Sequence, residues 1–487
     1  MIYIIGLSFL LIILAFYFFL YSKSTFIQKI IFNIIFMISF TLHATFFVSF
    51  YFTGEGVNDA VLYHLNYGLA GASFLEYWKV ILLTIIAIIL MFLTLHYLFT
   101  RERKYKFGKK LLYIAFLLIV LSVIINPTSY DLYDIYRNSN KQISFDKYYQ
   151  EPSIEKIGES KNLVFIYAES LERTYFNQKL FPGLIEGLRE LQNRSVYFTD
   201  IRQVAGTSWT IGGMVSSQLG IPLFTPITGQ EMHEMDDFLP LAEGVGDLLS
   251  KEGYYLSYYG GAELKFQGKG KFYKSHGFDE VYGENNLRAF MSDPDYLSNW
   301  GLYDSTLLDL AYDKYLTLSE TKDKFGLFLV TLGTHHPYGH VPNEYRNVKY
   351  KDGDNSILNA VKVTDILITD FVKDIMNSKY GDETVIVIAS DHLAMRNTAF
   401  EKLEKGKRRN MFMILSPERE KSIKITKRGS TLDIGPTIMP FIGYEADIGL
   451  GRNLLNEHIS SYEIKKIHDN LISWKEEIEK YWGELAE

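Results

Sequence analysis

Long apolar runs in the first 126 residues constrain this chain more than any other feature of its sequence. A helix that crosses a bilayer core needs about 20 apolar residues, and four segments come close to or exceed that length. They are residues 2–21, 30–52, 78–99 and 111–125. The first lacks the charged flank of a signal peptide and a second span follows it closely, which favours a permanent span. We predict a four-helix transmembrane region at 1–126.

The charged loops between these spans predict how the chain lies in the membrane. The loop 101–110 (RERKYKFGKK) is densely basic, and a shorter basic loop follows the first span, whereas the loop 53–77 is acidic. Basic loops stay in the cytoplasm, so the loop 53–77 and everything after the fourth span should lie outside. In that external loop, Asp59 and His64 could contact a lipid head group. A polar loop resting on the membrane is the simpler interpretation.

The overall charge and the absence of cysteine exclude several classes of function. The formal net charge is −7, and non-specific nucleic-acid binding rests on a basic surface, so no nucleic-acid partner is expected. The chain contains no cysteine, which excludes disulfides, thiolate metal sites and a cysteine nucleophile.

Downstream of the apolar region, the sequence pattern changes to that of an α/β domain. Residues 127–160 are polar and aromatic and indicate a linker or a membrane-surface segment, and the catalytic domain should occupy 161–487. Short apolar runs predict strands buried on both faces at 163–168, 325–332 and 384–389. Helical patterns lie between them, at 181–193, 303–317 and 356–376. This alternation predicts a mostly parallel sheet covered by helices on both faces.

Each predicted strand runs directly into polar residues of catalytic type. Glu169-Ser170 follows the first strand, Thr334-His335-His336 the second, and Asp391-His392 the third. Ligands of open α/β sheets bind at the carboxyl ends of the strands. Two carboxylates and an imidazole would suit Mn²⁺, Zn²⁺ or Mg²⁺. The alternative is that Asp391 and His392 cap a helix or satisfy a polar network in the core.

A small-residue turn at 204–214 (VAGTSWTIGGM) offers the candidate nucleophile. A hydroxyl at such a turn would lie at a helix N-terminus, where free N–H groups and the helix dipole favour a phosphate. A neutral hydroxyl needs activation, for which a cation is the obvious source. Thr207, Ser208 and Thr210 are equivalent on chemistry alone, and a plain N-cap hydroxyl is the structural alternative.

These stretches together resemble a known family. The matching segments are 162–176 (NLVFIYAESLERTYF), 205–224, 271–283 (KFYKSHGFDEVYG), 299–305 (NWGLYDS), 331–339 (TLGTHHPYG), 385–395 (VIVIASDHLAM) and, in the external loop, 53–65. They resemble the lipoteichoic acid synthase and phosphoglycerol transferase group of the alkaline-phosphatase and sulfatase superfamily. Within that group, the phosphoglycerol transferases that modify periplasmic glucans are the most similar. The likeness covers about residues 160–455 well and the membrane region loosely.

The resemblance implies a sulfatase- and alkaline-phosphatase-like α/β fold and assigns roles at the strand ends. It makes Glu169, Asp391 and His392 metal ligands, and Thr207 both the nucleophile and the fourth ligand. His335 matches the family's substrate histidine. One divalent ion is expected, with Mn²⁺ favoured and Zn²⁺ or Mg²⁺ as alternatives.

The substrate contacts depart from the family pattern. Lipoteichoic acid synthases carry a tryptophan and an arginine upstream of the YKS-GFD stretch, whereas this chain reads LKFQGKGKFYKSHGFD. Phe266 and Lys269 or Lys271 would have to take those roles. A lysine can neutralise a phosphate but lacks the bidentate fork of arginine.

The resemblance implies a membrane phosphoglycerol transferase. It would move glycerol phosphate from phosphatidylglycerol to an extracytoplasmic glycan, from the bacterial cytoplasmic membrane with its catalytic domain on the periplasmic side. Periplasmic glucan, capsular polysaccharide and a teichoic-type polymer all remain open as acceptors. A phosphoethanolamine transferase is the nearest alternative, although those enzymes usually contain disulfides. A catalytically inactive membrane-anchored sensor or scaffold is the alternative from another class.

Overall fold

The computed structural model describes residues 2–54, 56–68, 77–100, 108–139, 144–226, 236–418 and 421–486. The chain divides into two compact units. The first comprises Met1–Val61 and Ser73–Lys141, and the second comprises Leu62–Ala72 and Gln142–Glu487. The predicted linker is therefore shared, because its first part belongs to the first unit and its second part to the second unit. The short segment from Leu62 also belongs to the second unit, which the sequence did not predict.

Six helices lie in the described part of the first 139 residues. They are α1 Ile2–Tyr21, α2 Phe26–Thr53, α3 Asp59–Tyr67, α4 Trp78–Thr100, α5 Lys109–Ile124 and α6 Pro127–Ser139. Three of them, α1, α2 and α4, are long and apolar enough to cross a membrane. Helix α5 reaches that length only together with the start of α6, across a bend of 50°. Three spans are thus supported, and the fourth stays a prediction.

The apolar helices of the first unit pack through aromatic rings and small polar groups. The rings of Phe19 and Phe32 stack with centroids 3.8 Å apart. Ser8 on α1 donates a hydrogen bond to the backbone oxygen of Ser122 on α5 over 2.7 Å, and Ser39 and Ser122 share another. Such bonds satisfy polar groups between helices in an apolar environment. Most of the basic loop 101–110, Glu55 and Glu76 lie outside the described residues, so the predicted orientation stays a prediction.

The described part of the second unit contains fourteen strands. They are β1 Gln150–Lys156, β2 Asn162–Tyr167, β3 Val196–Phe198, β4 Ile201–Arg202, β5 Tyr255–Gly260, β6 Glu280–Tyr282, β7 Leu297–Ser298, β8 Gly301–Leu302, β9 Phe325–Val330, β10 Thr384–Ala389, β11 Phe412–Leu415, β12 Ile423–Ile425, β13 Gly429–Ser430 and β14 Tyr444–Gly449. Eight form one sheet in the order β12-β3-β11-β10-β2-β9-β5-β6. The sheet is mixed, because β11 runs antiparallel to both of its neighbours.

The three buried strands predicted from apolar runs are β2, β9 and β10, and every one of their residues is buried. They lie side by side and parallel at the centre of the sheet. In register, Tyr167 pairs with Val330 on one side and with Ala389 on the other. Their carboxyl ends therefore lie next to one another, which brings the residues that follow them to one edge.

Eleven α-helices belong to the described part of the second unit after β1. They are α7 Glu186–Gln192, α8 Thr210–Leu219, α9 Val245–Lys251, α10 Lys269–Ser275, α11 Glu284–Leu287, α12 Asp304–Thr321, α13 Ser356–Asn377, α14 Phe400–Leu403, α15 Ile434–Ile438, α16 Ser461–Asn470 and α17 Lys475–Glu479. Two of the predicted helices match α12 and α13 closely. The helix predicted from residue 181 begins only at Glu186, because Pro182 and Gly183, whose φ is +69°, interrupt it.

Helices cover both faces of the central sheet. Alternate residues of each strand point to opposite faces, so each strand packs against helices on both sides. Val164 and Ile166 of β2 share a core cluster with buried residues of α7, α12 and α13. On the opposite face, Phe165 stacks on Phe328 at 5.4 Å, and Tyr167 shares a hydrogen bond with Ser217 of α8. The two-sided burial explains why these strands are apolar throughout rather than alternating.

Candidate active site

Three strand-end side chains form a buried cluster with the composition of a metal site. Ligand atoms of Glu169, Asp391 and His392 all lie within 4.8 Å of one another, and all three residues are buried. His392 Nε2 lies 3.3 Å from Asp391 Oδ2 and 3.5 Å from Glu169 Oε1. The structure therefore brings together the three residues that the sequence placed at the ends of β2 and β10.

The hydrogen bonds around this cluster leave one carboxylate oxygen, Asp391 Oδ2, available to a cation, while Ser170 Oγ donates to Glu169 Oε1 at 2.8 Å. Asp391 Oδ1 accepts the backbone N–H groups of Ser170 and His392, each at 2.9 Å. Its other oxygen, Oδ2, is buried and accepts no hydrogen bond. His392 Nδ1 lies 2.8 Å from the backbone oxygen of Leu393, to which it donates, so Nε2 is the ring nitrogen directed at the carboxylates and the one that could bind an ion. Two carboxylates and one imidazole lone pair match the oxygen and nitrogen donors that Mn²⁺, Zn²⁺ and Mg²⁺ accept.

The electrostatics of the cluster also favour a positive ion. Burial raises the pKa of Glu169 well above its usual value, and the neighbouring Asp391 carboxylate raises it further. Two carboxylates this close disfavour each other's ionised form. A divalent cation would offset both charges, which is why the residues present fit a metal ion.

Two of the candidate hydroxyls, Thr207 in the turn before α8 and Thr210 at its first position, have different surroundings. Thr207 is buried, and its Oγ1 donates to the backbone oxygen of Val204 at 2.8 Å. Thr210 instead donates to Glu169 Oε2 over 3.3 Å, so it is the hydroxyl with a hydrogen bond to the cluster. The role of Thr207 stays a prediction, and Thr210 becomes a residue that a test must separate from it.

A glycine in α8 lets this helix approach the strand end that carries Asp391 closely. A Cβ atom on Gly213 would lie 1.9 Å from the backbone oxygen of Asp391. The start of α8, with Thr210 at its first position, can therefore sit against the cluster only because residue 213 lacks a side chain. Gly206 in the preceding turn has φ of +73°, a conformation that favours glycine. The small residues of this stretch thus fix the distance between the hydroxyls and the cluster.

Of the two candidate lysines, Lys269 interacts electrostatically with the cluster. Burial lowers the pKa of Lys269 to about 8, while the carboxylates of Glu169 and Asp391 oppose that shift. Its ammonium lies 4.8 Å from the centroid of the Phe266 ring, a cation–π contact. Lys271 lies two residues further along α10 and is partly exposed. The electrostatic interaction with Glu169 and Asp391 therefore favours Lys269 as the lysine that acts on the cluster.

His335 lies in an aromatic environment beyond the end of β9. Its ring centroid is 4.3 Å from that of Trp300 and 4.8 Å from that of His336. Burial lowers the pKa of His335 well below its usual value and that of His336 to about 3, so both rings are neutral. Buried Asp304 holds the loop by accepting the backbone N–H groups of Leu332 and Gly333 at 2.6 and 2.9 Å.

Two supporting side chains near the cluster carried no signal in the sequence. Gln203 accepts the backbone N–H of Leu393 at 2.9 Å, next to the candidate ligand His392. Glu172 is fully buried and accepts hydrogen bonds from the Arg408 guanidinium and from the backbone N–H of Ala394. Their partners are far away in sequence, so no local pattern could have revealed them.

The fold and the buried strand-end cluster define an alkaline-phosphatase-like α/β protein, and comparisons with known proteins agree. The sequence model of the family described as Sulfatase matches residues 161–444, which is more than half of the chain. The chain therefore belongs to the sulfatase family. A second model, described as "Phosphoglycerol transferase I, N-terminal domain", matches residues 4–143.

Curated relatives extend the likeness over both units. The chain is 38% identical over 447 residues to Phosphoglycerol transferase I of Escherichia coli O127:H6, a match that covers 91% of this chain and 58% of the relative. Phosphoglycerol transferase I of E. coli O6:K15:H31 gives the same identity and coverage. The chain thus spans 58% of the length of these relatives. The family resemblance found in the motifs is confirmed.

Solved structures are similar in fold. A protein of the alkaline phosphatase superfamily from Vibrio parahaemolyticus matches with a TM-score of 0.53 and 22% identity, covering 68% of this chain and 78% of that one. The lipoteichoic acid synthase LtaP from Listeria monocytogenes matches with a TM-score of 0.52 and 21% identity, covering 66% and 81%. Identities this low show the fold alone.

Proposed function

We propose that the chain is a membrane phosphoglycerol transferase that takes glycerol phosphate from phosphatidylglycerol and transfers it to an extracytoplasmic glycan. The observation that carries the chemistry is the buried Glu169, Asp391 and His392 cluster, to which the Thr210 hydroxyl at the start of α8 donates a hydrogen bond. The choice of cargo is supported by the 38% identity to proteins named Phosphoglycerol transferase I. The three apolar helices would keep the site close to a lipid donor.

In the first step, Thr207 Oγ attacks the phosphorus of phosphatidylglycerol. A bond forms between that oxygen and phosphorus, and the bond from phosphorus to the diacylglycerol oxygen breaks. The threonine proton ends on diacylglycerol, which leaves as a neutral alcohol. The product on the protein is a glycerophosphoryl ester of Thr207. To make this attack, the hydroxyl must first leave the backbone oxygen of Val204, to which it now donates.

In the second step, a glycan hydroxyl attacks the same phosphorus. Its oxygen forms the new ester, the bond to Thr207 Oγ breaks, and the glycan proton ends on the regenerated threonine. His335 Nδ1 faces a backbone oxygen at 2.9 Å, so Nε2 keeps its lone pair and would accept a hydrogen bond from the entering hydroxyl. Lys269 would offset the charge on the phosphoryl oxygens.

A divalent cation held by Glu169, Asp391, His392 and Thr207 would supply Lewis-acid chemistry, which lowers the pKa of a bound hydroxyl and stabilises charge on phosphoryl oxygens. Mn²⁺ is the ion we propose. The catalytic domain would face the periplasm, because the loop 53–77 is acidic and the loop 101–110 is basic.

The proposal is tested on the full-length protein in phosphatidylglycerol vesicles by mass spectrometry of the turn at 204–214. We expect a glycerophosphoryl adduct on Thr207, and its loss together with transfer in Thr207→Ala. Thr210→Ala separates the two threonines, since it should keep the adduct while turning over more slowly. Thr317→Ala, on the exposed face of α12, is the matched control. Normal transfer by Thr207→Ala would contradict the proposed nucleophile.

A further inference from the structure

The end of helix α3 belongs to the catalytic unit, although it lies between two apolar helices in sequence. Tyr63 and Tyr67 are 1% and 4% exposed. Their rings stack with centroids 5.2 Å apart and planes 9° from parallel. Two tyrosines one turn apart are therefore buried side by side against the catalytic domain, which a loop resting on the membrane would not require.

Tyr63 connects this helix to the turn that carries the candidate nucleophile. Its hydroxyl donates to the backbone oxygen of Gln267 at 2.8 Å, and its ring lies 5.4 Å from that of Trp209. Gln267 has φ of +59°, which is unusual for a residue other than glycine. The side chain of Gln267 in turn accepts the backbone N–H of Ile211 at 3.1 Å. One residue thus joins Tyr63 to the N-terminus of α8.

Tyr67 packs against the backbone that precedes Lys269. Gly268 has φ of +74°, and a Cβ atom there would lie 2.4 Å from the Tyr67 hydroxyl oxygen. The end of the helix is held by Asn66, whose side-chain amide donates to Thr225 Oγ1 at 3.2 Å. Because Lys269 follows Gly268 directly, the position of the lysine depends on this contact.

His64, also on α3, lies close to Phe266, one of the candidate substrate contacts. Its ring centroid is 6.1 Å from that of Phe266, with planes 19° apart, and Phe266 also carries the Lys269 ammonium over its face. Burial lowers the pKa of His64 to about 4, and the Lys269 charge acts in the same direction. A neutral imidazole can donate a hydrogen bond to an anion without repelling the lysine.

We propose that residues 62–67, the end of α3, are part of the active site. Tyr63 is a positioning residue for Gln267–Lys269. His64 contacts the anionic phosphodiester of the donor lipid. The inference rests on the proposed function for the identity of the donor. It makes a residue from between the membrane helices a determinant of donor recognition. The acidic loop at residues 53–77 would then contribute to the site and not only rest on the membrane surface.

Cysteine accessibility tests the contact without depending on turnover. The chain contains no cysteine, so His64→Cys introduces the single thiol of the full-length protein. In nanodiscs, a methanethiosulfonate reagent should label it several-fold more slowly with phosphatidylglycerol than with phosphatidylcholine alone. Leu65→Cys is the matched control, because Leu65 is 75% exposed on the same helix, and its rate should not depend on the lipid. Equal rates for His64→Cys in both lipids would overturn the proposal.

Kinetics test the positioning role. Tyr63→Phe keeps the ring and removes one buried hydrogen bond, so we expect kcat to fall about fivefold while the Mn²⁺ affinity stays unchanged. His64→Ala should raise the KM for phosphatidylglycerol about tenfold and change kcat less. Tyr462→Phe, at an exposed tyrosine, controls for the loss of a hydroxyl.

The outcomes separate this inference from the proposed function. If the unmodified protein does not transfer glycerol phosphate, the proposed function fails. The labelling rates of His64→Cys then still decide whether the end of α3 contacts an anionic lipid. If the unmodified protein transfers glycerol phosphate and both variants match it in kcat and KM, the inference alone is wrong.

Discussion

A buried ion pair between Glu172 and Arg408 holds the loop that follows the candidate metal ligands. The Glu172 side chain is fully buried and that of Arg408 is 18% exposed. Both side chains also bind the backbone of Ala394. The Glu172 carboxylate accepts the Ala394 N–H, and the Arg408 guanidinium donates to the Ala394 backbone oxygen. Since Ala394 lies two residues beyond His392, we expect the pair to support both the stability of the domain and the geometry of the cluster.

Glu172→Gln removes the charge and keeps the shape, which leaves the guanidinium without its buried partner. Removing one member of a buried pair costs about 3–5 kcal/mol. Arg408 retains some exposure and a second partner, Glu404, at 2.9 Å, so we expect the lower end, about 3 kcal/mol in the free energy of unfolding. Loss of such support around a metal ligand weakens metal binding by roughly tenfold or more.

The assay is a urea titration of the full-length protein in nanodiscs, followed by tryptophan fluorescence, together with calorimetric titration of Mn²⁺. Glu190→Gln is the matched control, because Glu190 pairs with Lys373 at 2.8 Å with both side chains about half exposed. Exposed pairs of this kind contribute about 1 kcal/mol or less. If Glu172→Gln proved as stable as Glu190→Gln and bound Mn²⁺ as tightly as the unmodified protein, the reasoning would be refuted.

Three further substitutions test the site and its supports. Asp391→Asn should weaken Mn²⁺ binding by roughly a hundredfold, measured by calorimetry, and unchanged affinity would contradict the proposed ligand set. Gly213→Ala should destabilise the domain by about 1–3 kcal/mol and abolish transfer, because its Cβ would meet the Asp391 backbone; urea titration checks the first effect. Burial raises the pKa of Asp304 from 3.8 to about 6. The contribution of this carboxyl group to the free energy of unfolding is therefore fully present below pH 3.8 and is lost as the pH rises through 6. Relative to Asp304→Asn, the unmodified protein should therefore lose stability between pH 4 and pH 6, and a pH-independent difference would contradict this.

The sequence predicted the central part of the fold well because its signals are local. Strands β2, β9 and β10 are apolar at every position because both faces of the sheet are covered, and β10 matches the predicted residues 384–389. The mixed character of the sheet was harder to foresee. Strand β11 is only four residues long, and its antiparallel pairing depends on how the chain returns to the sheet.

The sequence by itself determined the apolar helices, the buried strands, and the polar residues Glu169, Asp391 and His392 at the strand ends. The helices and strands could be predicted because burial makes whole runs of neighbouring residues apolar, and the three polar residues follow the strands directly in sequence. Only the tertiary structure decided that Thr210 bonds to Glu169, that Glu172 meets Arg408 across 236 positions, and that Tyr63 bonds to Gln267 across 204. Such contacts depend on the path of the folded chain, and hydrogen bonds between distant residues leave no period in the sequence. The burial of Tyr63 and Tyr67 within the second unit is therefore a property of the fold.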